Sequence, residues 1–533
     1  MLAVAGAALA LRIPRLGLRP MHTDEAVHAV KFDTLWQTGR YEYDPNEYHG
    51  PTLYYFTLPA MWLSGAQNLA QTDEFTFRIT PALFGAGLTL LLLLLADGLG
   101  RGATIVAALL MALSPAMVFY SRYYIQEMLL AFFTLGAIAA GWRFVRSPRI
   151  GWAILLGCML GLMHATKETS VIAFGCMGLA IVATLGWRRF HMPNVDTRVS
   201  NPRQALLLIV IAVAAVATSA LFFSGFLTHP RGVWDSLAAL TTYFQRAGGG
   251  GVHEHPWHYY FGILLFTHYS RGPIWTEALI PLLALAGVAA VARQAADSDA
   301  ISVAQLKPAC GLAPRRFLVI YAALMVLVYS IIPYKTPWCG VQFLVPMALL
   351  AGIGAAALLR ALWPERAAEL GGGRPARRIA LLCVSAALLL SATGHLGWQA
   401  WRASFRFYAD YRNPYVYAHP LLGVVQMSDW VEKLARVHPD GHGMLIRVIM
   451  DDPWPVPWYL RRFEQVGYWE SPPADCEAPV IITSADLAPQ VESRLRREYR
   501  SSYYGLRPDV VLVVYVAHDL WEAFAAREVS GEW

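Results

Sequence analysis

Long apolar runs separated by short polar breaks dominate the chain. Eleven can be read, at 1–13, 82–97, 103–120, 127–145, 151–165, 169–187, 205–226, 274–292, 317–333, 338–360 and 379–400. The stretch ALLLIVIAVAAVATSALFF at 205–223 is long enough to cross a hydrocarbon core of roughly 30 Å at about 1.5 Å per residue. Inside lipid such a run must be helical, because only a helix satisfies all of its own backbone groups. The pattern predicts an α-helical polytopic membrane protein. The first run differs: only about eleven apolar residues precede Arg12, roughly half a bilayer. It reads as an incomplete helix or a start placed too late. It does not read as a signal peptide, having no basic leading region and no small-residue cleavage site.

After about residue 400 the period changes. Strand-like runs (GMLIRVIM, APVIIT, DVVLVVYV) alternate with helix-like ones (MSDWVEKLARV, LAPQVESRLRREY). This predicts a membrane domain over 1–400 followed by a small α/β domain over 401–533.

Composition agrees. The 533 residues are 56% hydrophobic and 15% charged, against about 25% charged in a soluble domain. Orientation follows from where Lys and Arg collect. Loops holding Arg101, Arg143, Arg146, Arg149, Arg188, Arg189, Arg293, Arg315, Arg316 and Arg360 read as cytoplasmic, together with the basic segments near 198–203, 307 and 366–378. The opposite loops carry Arg122, Lys167 and Lys335 singly. The outer side of a cell membrane then holds long loops at 14–81 and 227–273, three short connectors and the C-terminal domain. The net charge of +6 is loop charge and shows no nucleic-acid patch. Cys158, Cys176 and Cys383 sit in apolar runs, and no cysteine spacing suggests zinc or a disulfide framework.

Ionisable residues are nearly absent from the run centres, where a transporter or proton pump usually needs them. They gather at outer helix ends. In HTDEAVH (22–28), Thr23 can cap a helix with Asp24 and Glu25 in its first turn, or one acid can face a cavity as a base while the other is held by a neighbour or a metal. His28 shares their helix surface. YDPNEYHGPTLYYFTLP (43–59), with Glu47 and His49, suits an interfacial segment. In YSRYYIQEM (120–128), Glu127 either satisfies a helix dipole or works in a site, and Arg122 has the paired N–H groups that hold a phosphate. HATKETS (164–170) reads as a solvated turn carrying Lys167 and Glu168, or as part of a site. In YSIIPYKTPWC (329–339), two prolines would hold Lys335 at the interface, beside Tyr334. QRAGGGGVHEHPWHYY (245–260) reads as a mobile loop with a weak metal-like spacing, or as a lid.

Taken together, MHTDEAVHA, YHGPTLYYF, SRYYIQEMLLAFF, KETS, IPYKTPW and WPVPWYLRRF resemble the GT-C superfamily of membrane glycosyltransferases. Within it they look most like the flippase-activity-associated family of archaeal N-glycosylation and its bacterial members. Protein O-mannosyltransferases and aminoarabinose transferases are relatives. The resemblance implies transfer of a sugar from a polyprenyl-phosphate carrier at the outer face, usually with inversion. It implies Asp24 as general base, Glu25 as its partner and Glu127 as a second acid. His49 stands where aminoarabinose transferases place a phosphate-binding lysine, so Lys335, Arg122, His49 and Tyr334 are the candidates for the donor phosphate. His28, Lys167 and Glu168 are further site candidates. A Mg²⁺ or Mn²⁺ ion on Asp24, Glu25 and Glu127 is compatible with the pattern, but no motif demands it. The expected partners are a lipid-linked sugar, the bilayer and an acceptor of unstated class. The rival reading from the same resemblance is a flippase, or flippase accessory, for lipid-linked sugars; a third is a scaffold for a glycosylation complex.

Overall fold

The computed structural model describes residues 1–46, 49–191, 202–247, 253–300, 312–362 and 375–530. Glu47, the glycines 248–251 and most of the basic loop segments at 192–201, 301–311 and 363–374 lie outside the described residues.

Each apolar run contains a helix, though the one at 274–292 begins with the short strand Ile274–Trp275. Among the described residues, seven helical stretches are long and apolar enough to cross a membrane: Glu74–Leu99, Glu127–Arg146, Ser170–Trp187, Pro202–Phe223, Ala313–Ile331, Pro337–Ala361 and Ile379–Arg406. Arg101–Leu113, Ile150–His164 and Leu279–Ala295 are apolar but shorter, and the N-terminal helix is Leu2–Arg12. The run expected at 103–120 is broken. Ser114 ends Arg101–Leu113, and its side chain caps a new helix, Pro115–Ser121, by accepting from Met117 N. Pro115 has no N–H to continue the first ladder but suits the first turn of the second.

The core helices touch through small residues. A Cβ on Gly287 would sit 2.1 Å from the Leu350 carbonyl oxygen, and one on Gly354 would sit 2.0 Å from that of Leu283. Glycine at both positions lets Leu279–Ala300 and Val341–Ala361 pack backbone to backbone. The loop expected at 14–81 contains two helices, Thr23–Thr38 and Thr52–Ser64, before the long Glu74–Leu91 helix.

The C-terminal part is a five-stranded sheet, in the order Val466–Trp469, Ile446–Ile449, Val480–Ser484, Val510–Ala517, Tyr499–Arg507. The first two pairings are parallel and the last two antiparallel. Alternation divides its faces. Val480, Ile482, Val514 and Val516 join Val424, Met427 and Leu434 of the helix Leu422–Ala435. Ile481, Val513 and Tyr515 build a second small core with Ile449, Cys476 and Val491. The stretch expected as one helix at 487–499 is helical only over Ala488–Glu492 and then becomes the edge strand Tyr499–Arg507.

This sheet domain grips the first loop. Trp458 Nε1 donates to Glu74 at 2.9 Å, Met21 N donates to the Tyr459 hydroxyl at 2.8 Å, and Arg461 donates to the Thr72 carbonyl at 2.8 Å.

Candidate active site

The two adjacent acids separate at once, because neighbouring residues on a helix point about 100° apart. His22, not Thr23, caps the helix Thr23–Thr38: its ring accepts from Asp24 N, and its own backbone N–H donates to Glu25 at 2.9 Å. Glu25 is fully buried. It accepts from Arg78 Nε and Nη2, both at 2.7 Å, from Arg19 at 3.0 Å and from Tyr124 N at 2.8 Å. Burial alone would raise its pKa; Arg19 and Arg78 reverse that and hold it far below the ordinary carboxylate range. Glu25 therefore points away from Asp24 and knots the first loop to the bundle. Asp24 faces the other way and keeps 46% of its side-chain surface exposed.

Asp24 lines a cavity of about 410 Å³ together with His28, His49, Glu127, Lys167, Glu168 and Tyr334. Residues from five separated stretches of sequence thus meet in one place. Ile125, Val171, Ile172, Leu240 and Ile332 supply an apolar wall.

The cation of this cavity is Lys167. Its ammonium pairs with Glu127, the first residue of Glu127–Arg146, and both are buried. The turn after Ile150–His164 bends the lysine inward, with Lys167 N bonding back to Met163 O. Glu168 accepts from the Tyr43 hydroxyl at 3.0 Å and lies 2.8 Å from His49 Nδ1. Burial would raise Glu168, but His49 and Lys167 bring it below its ordinary value. An ionised carboxylate only accepts, so His49 Nδ1 carries the hydrogen of that bond. The backbone fixes the pair: a Cβ on Gly50 would lie 2.2 Å from the Ala165 carbonyl oxygen, and Thr52 Oγ1 donates to Thr166 Oγ1 at 2.8 Å. His28, 2.8 Å from the Tyr54 hydroxyl, is pulled down to about 3, first by burial and then by His49. It is a neutral wall of the cavity.

Two expected phosphate ligands lie elsewhere. Lys335 is buried and spends its ammonium on the carbonyls of His255, at 3.0 Å, and Ile332. Its burial lowers its proton affinity. The prolines do fix this segment, but they fix it against residues 253–255, where Glu254 and Tyr334 form a β-bridge and Lys335 N bonds His253 O at 2.9 Å. Arg122 donates to the carbonyls of Arg12, Pro14 and Arg15, each at 2.8 Å, and is lowered to about 9 by burial and its arginine neighbours. It holds the end of the N-terminal helix. The trio expected for a metal does not assemble, since Glu25 points into its arginine pair, and among the described residues no group of three or more His, Cys, Asp or Glu side chains could share one ion. The residues do not fit a bound Mg²⁺ or Mn²⁺.

Trp338 also belongs to the site, as do Tyr43, Gln126 and Tyr329, and these last three escaped the sequence reading as individual residues. The aromatic density of 43–59 and 329–339 was the available signal.

The fold is thus a polytopic helical bundle with a polar cavity where helix ends meet, followed by a C-terminal sheet domain. Residues 46–228, about a third of the chain, match the family model for dolichyl-phosphate-mannose-protein mannosyltransferase. The fold is that of ArnT from Cupriavidus metallidurans. The crystal structure bound to undecaprenyl phosphate aligns at a TM-score of 0.58 and 14% identity, over 97% of this chain and 98% of that one. The apo crystal structure gives the same values. The arabinofuranosyltransferase AftD from Mycobacteria, solved by cryo-EM, aligns at a TM-score of 0.47 and 14% identity, over 97% of this chain and 39% of that one. None of the curated proteins matches.

Proposed function

We propose that the chain transfers a sugar from a polyprenyl-phosphate-linked donor to an acceptor hydroxyl or amine at the outer face of the membrane, with Asp24 as general base. One observation carries this reading: an accessible carboxylate and a buried lysine line the same cavity, beside an apolar wall. Asp24 sits in the first turn of its helix, at the edge of the cavity. In the reaction Asp24 takes the acceptor's proton while the freed electron pair attacks the anomeric carbon. The bond from that carbon to the phosphate oxygen breaks, and the polyprenyl phosphate departs with the electrons, needing no proton. Attack opposite the leaving group inverts the sugar.

Lys167 is the group best placed to meet the phosphate, with His49 beside it and Glu127 holding the lysine. This replaces Lys335 and Arg122 in that role. The apolar wall suits the first isoprene units of the carrier. That ArnT is bound to undecaprenyl phosphate supports the donor class.

The test is Asp24→Asn in purified protein. Transfer from polyprenyl-phosphate hexoses should fall roughly 10²–10⁴-fold, with undecaprenyl phosphate binding and melting temperature unchanged. Near wild-type turnover would refute the assignment.

A further inference from the structure

Gln126 has no role in the reaction just described, and its side chain is unusual. It is fully buried, yet neither its amide oxygen nor its amide nitrogen has a hydrogen-bond partner among the described residues. It occupies the N-cap position of Glu127–Arg146 but makes no side-chain capping bond; only its backbone works, with Leu130 N donating to Gln126 O at 2.9 Å. It also lines the cavity that holds Asp24 and Lys167.

Buried amides are almost always bonded, because stripping water from one without replacement is costly. Nothing among the described residues bonds this one, and an apolar side chain of the same shape would avoid the penalty. A group kept polar, buried and unbonded in a binding cavity is one reserved for a ligand. An amide offers an acceptor oxygen and N–H donors side by side. A carboxylate ligand would satisfy only the donors, and an ammonium only the oxygen. A pair of adjacent hydroxyls satisfies both, since each can donate or accept.

We infer that Gln126 reads the donor sugar, bonding a pair of adjacent hydroxyls on a neutral hexose while Lys167 takes the phosphate. The inference rests on the glycosyltransferase reading above and assigns the chemistry of its sugar subsite. Gln126 is then a specificity-determining residue. It makes no difference to the carrier lipid, and it favours a hydroxylated neutral sugar over a charged or deoxygenated one.

The experiment compares wild type with Gln126→Met, which keeps length and shape and removes both polar groups. The probes are undecaprenyl phosphate alone and the same lipid carrying one hexose, glucose or mannose, with binding measured in nanodiscs. In the wild type, at least one hexose lipid should bind tighter than the bare lipid. In Gln126→Met that preference should fall about tenfold or more, with bare-lipid binding within twofold of wild type. The ligand-free variant should melt at the same temperature as wild type or higher, because an unsatisfied amide has been removed.

A variant that keeps the hexose preference overturns the inference, as does one that melts about 4 °C or more below wild type, which would mean a structural partner for the amide. Equal loss for bare and sugar-bearing lipid also overturns it, as does a wild type with no hexose preference, the result expected if water alone satisfies Gln126. A wild type that binds no polyprenyl phosphate at all would instead bring down the glycosyltransferase reading itself.

Discussion

Asp24 and Glu25 carry the same functional group one residue apart, and the helix gives them opposite tasks. Glu25 accepts from two arginines and two backbone amides with no exposed surface. Removing its charge would leave Arg19 and Arg78 buried, with one anion fewer between them. Breaking a buried pair this way costs about 3–5 kcal/mol. Glu25→Gln should therefore lower the melting temperature and the folded yield clearly, while each folded molecule still binds undecaprenyl phosphate as wild type does. A variant of normal stability that has lost only transfer would return Glu25 to the catalytic role expected from its neighbour. The sequence could nominate the pair, because acids at a helix start are a local pattern. It could not divide their tasks, because the dividing residue is Arg78, fifty-three positions downstream of Glu25.

At the level of elements, the site depends on how Tyr43 and residues 49–52 lie against the turn 163–168. Gly50 allows contact, since any Cβ would strike the Ala165 carbonyl, which is backbone and cannot swing aside. Gly50→Ala should part the two segments, pull His49 from Glu168 and release Tyr43. Donor binding and transfer should each drop about tenfold or more, although no group lining the cavity has been altered; unchanged binding would show that the contact is not what sets the site. Helix positions were legible because apolar length is a local property: each run from 82 onward is mostly helix, although Pro115 breaks the one at 103–120 and the one at 274–292 opens with the short strand Ile274–Trp275. Two strands, Val466–Trp469 and Tyr499–Arg507, were not legible, being short or polar on one face. Lys167, read as part of a solvated turn or of a site, turns into the cavity, whereas Lys335 spends its ammonium on carbonyls. Flanking prolines announced a rigid segment, but not that residues 253–255 would pair with it and absorb the ammonium.

For the whole molecule, the buried histidines link folding to pH. His28 in the first loop and His419 in the segment leading to the sheet domain are both held well below their ordinary value of 6.5, each chiefly by burial. His419 joins the two parts of the chain by bonding the Tyr123 hydroxyl. Unfolding returns each ring to water, where it takes a proton near pH 6.5. The unfolded state therefore binds more protons, and stability rises with pH across this window. The contribution is complete above pH 6.5 and is lost as pH falls toward the folded values, about 3 for His28. His253 and His255, also lowered by burial, act in the same direction. The buried carboxylates lose their contribution only lower, since Glu25 and Glu168 start from an unfolded value of 4.5. In the interval from 4.5 to 6.5 the histidines therefore act against Glu277, whose carboxyl is raised by burial above its ordinary 4.5 and which pulls the other way. Thermal unfolding in detergent should show stability falling there, approaching about 1.4 kcal/mol per pH unit for each neutral buried ring. His28→Gln and His419→Gln should each flatten that slope by one such share, whatever they do to stability at pH 8. Slopes left unchanged by both substitutions would mean that the rings accept protons in the folded state, and that the two halves of the chain are not held together by neutral histidines.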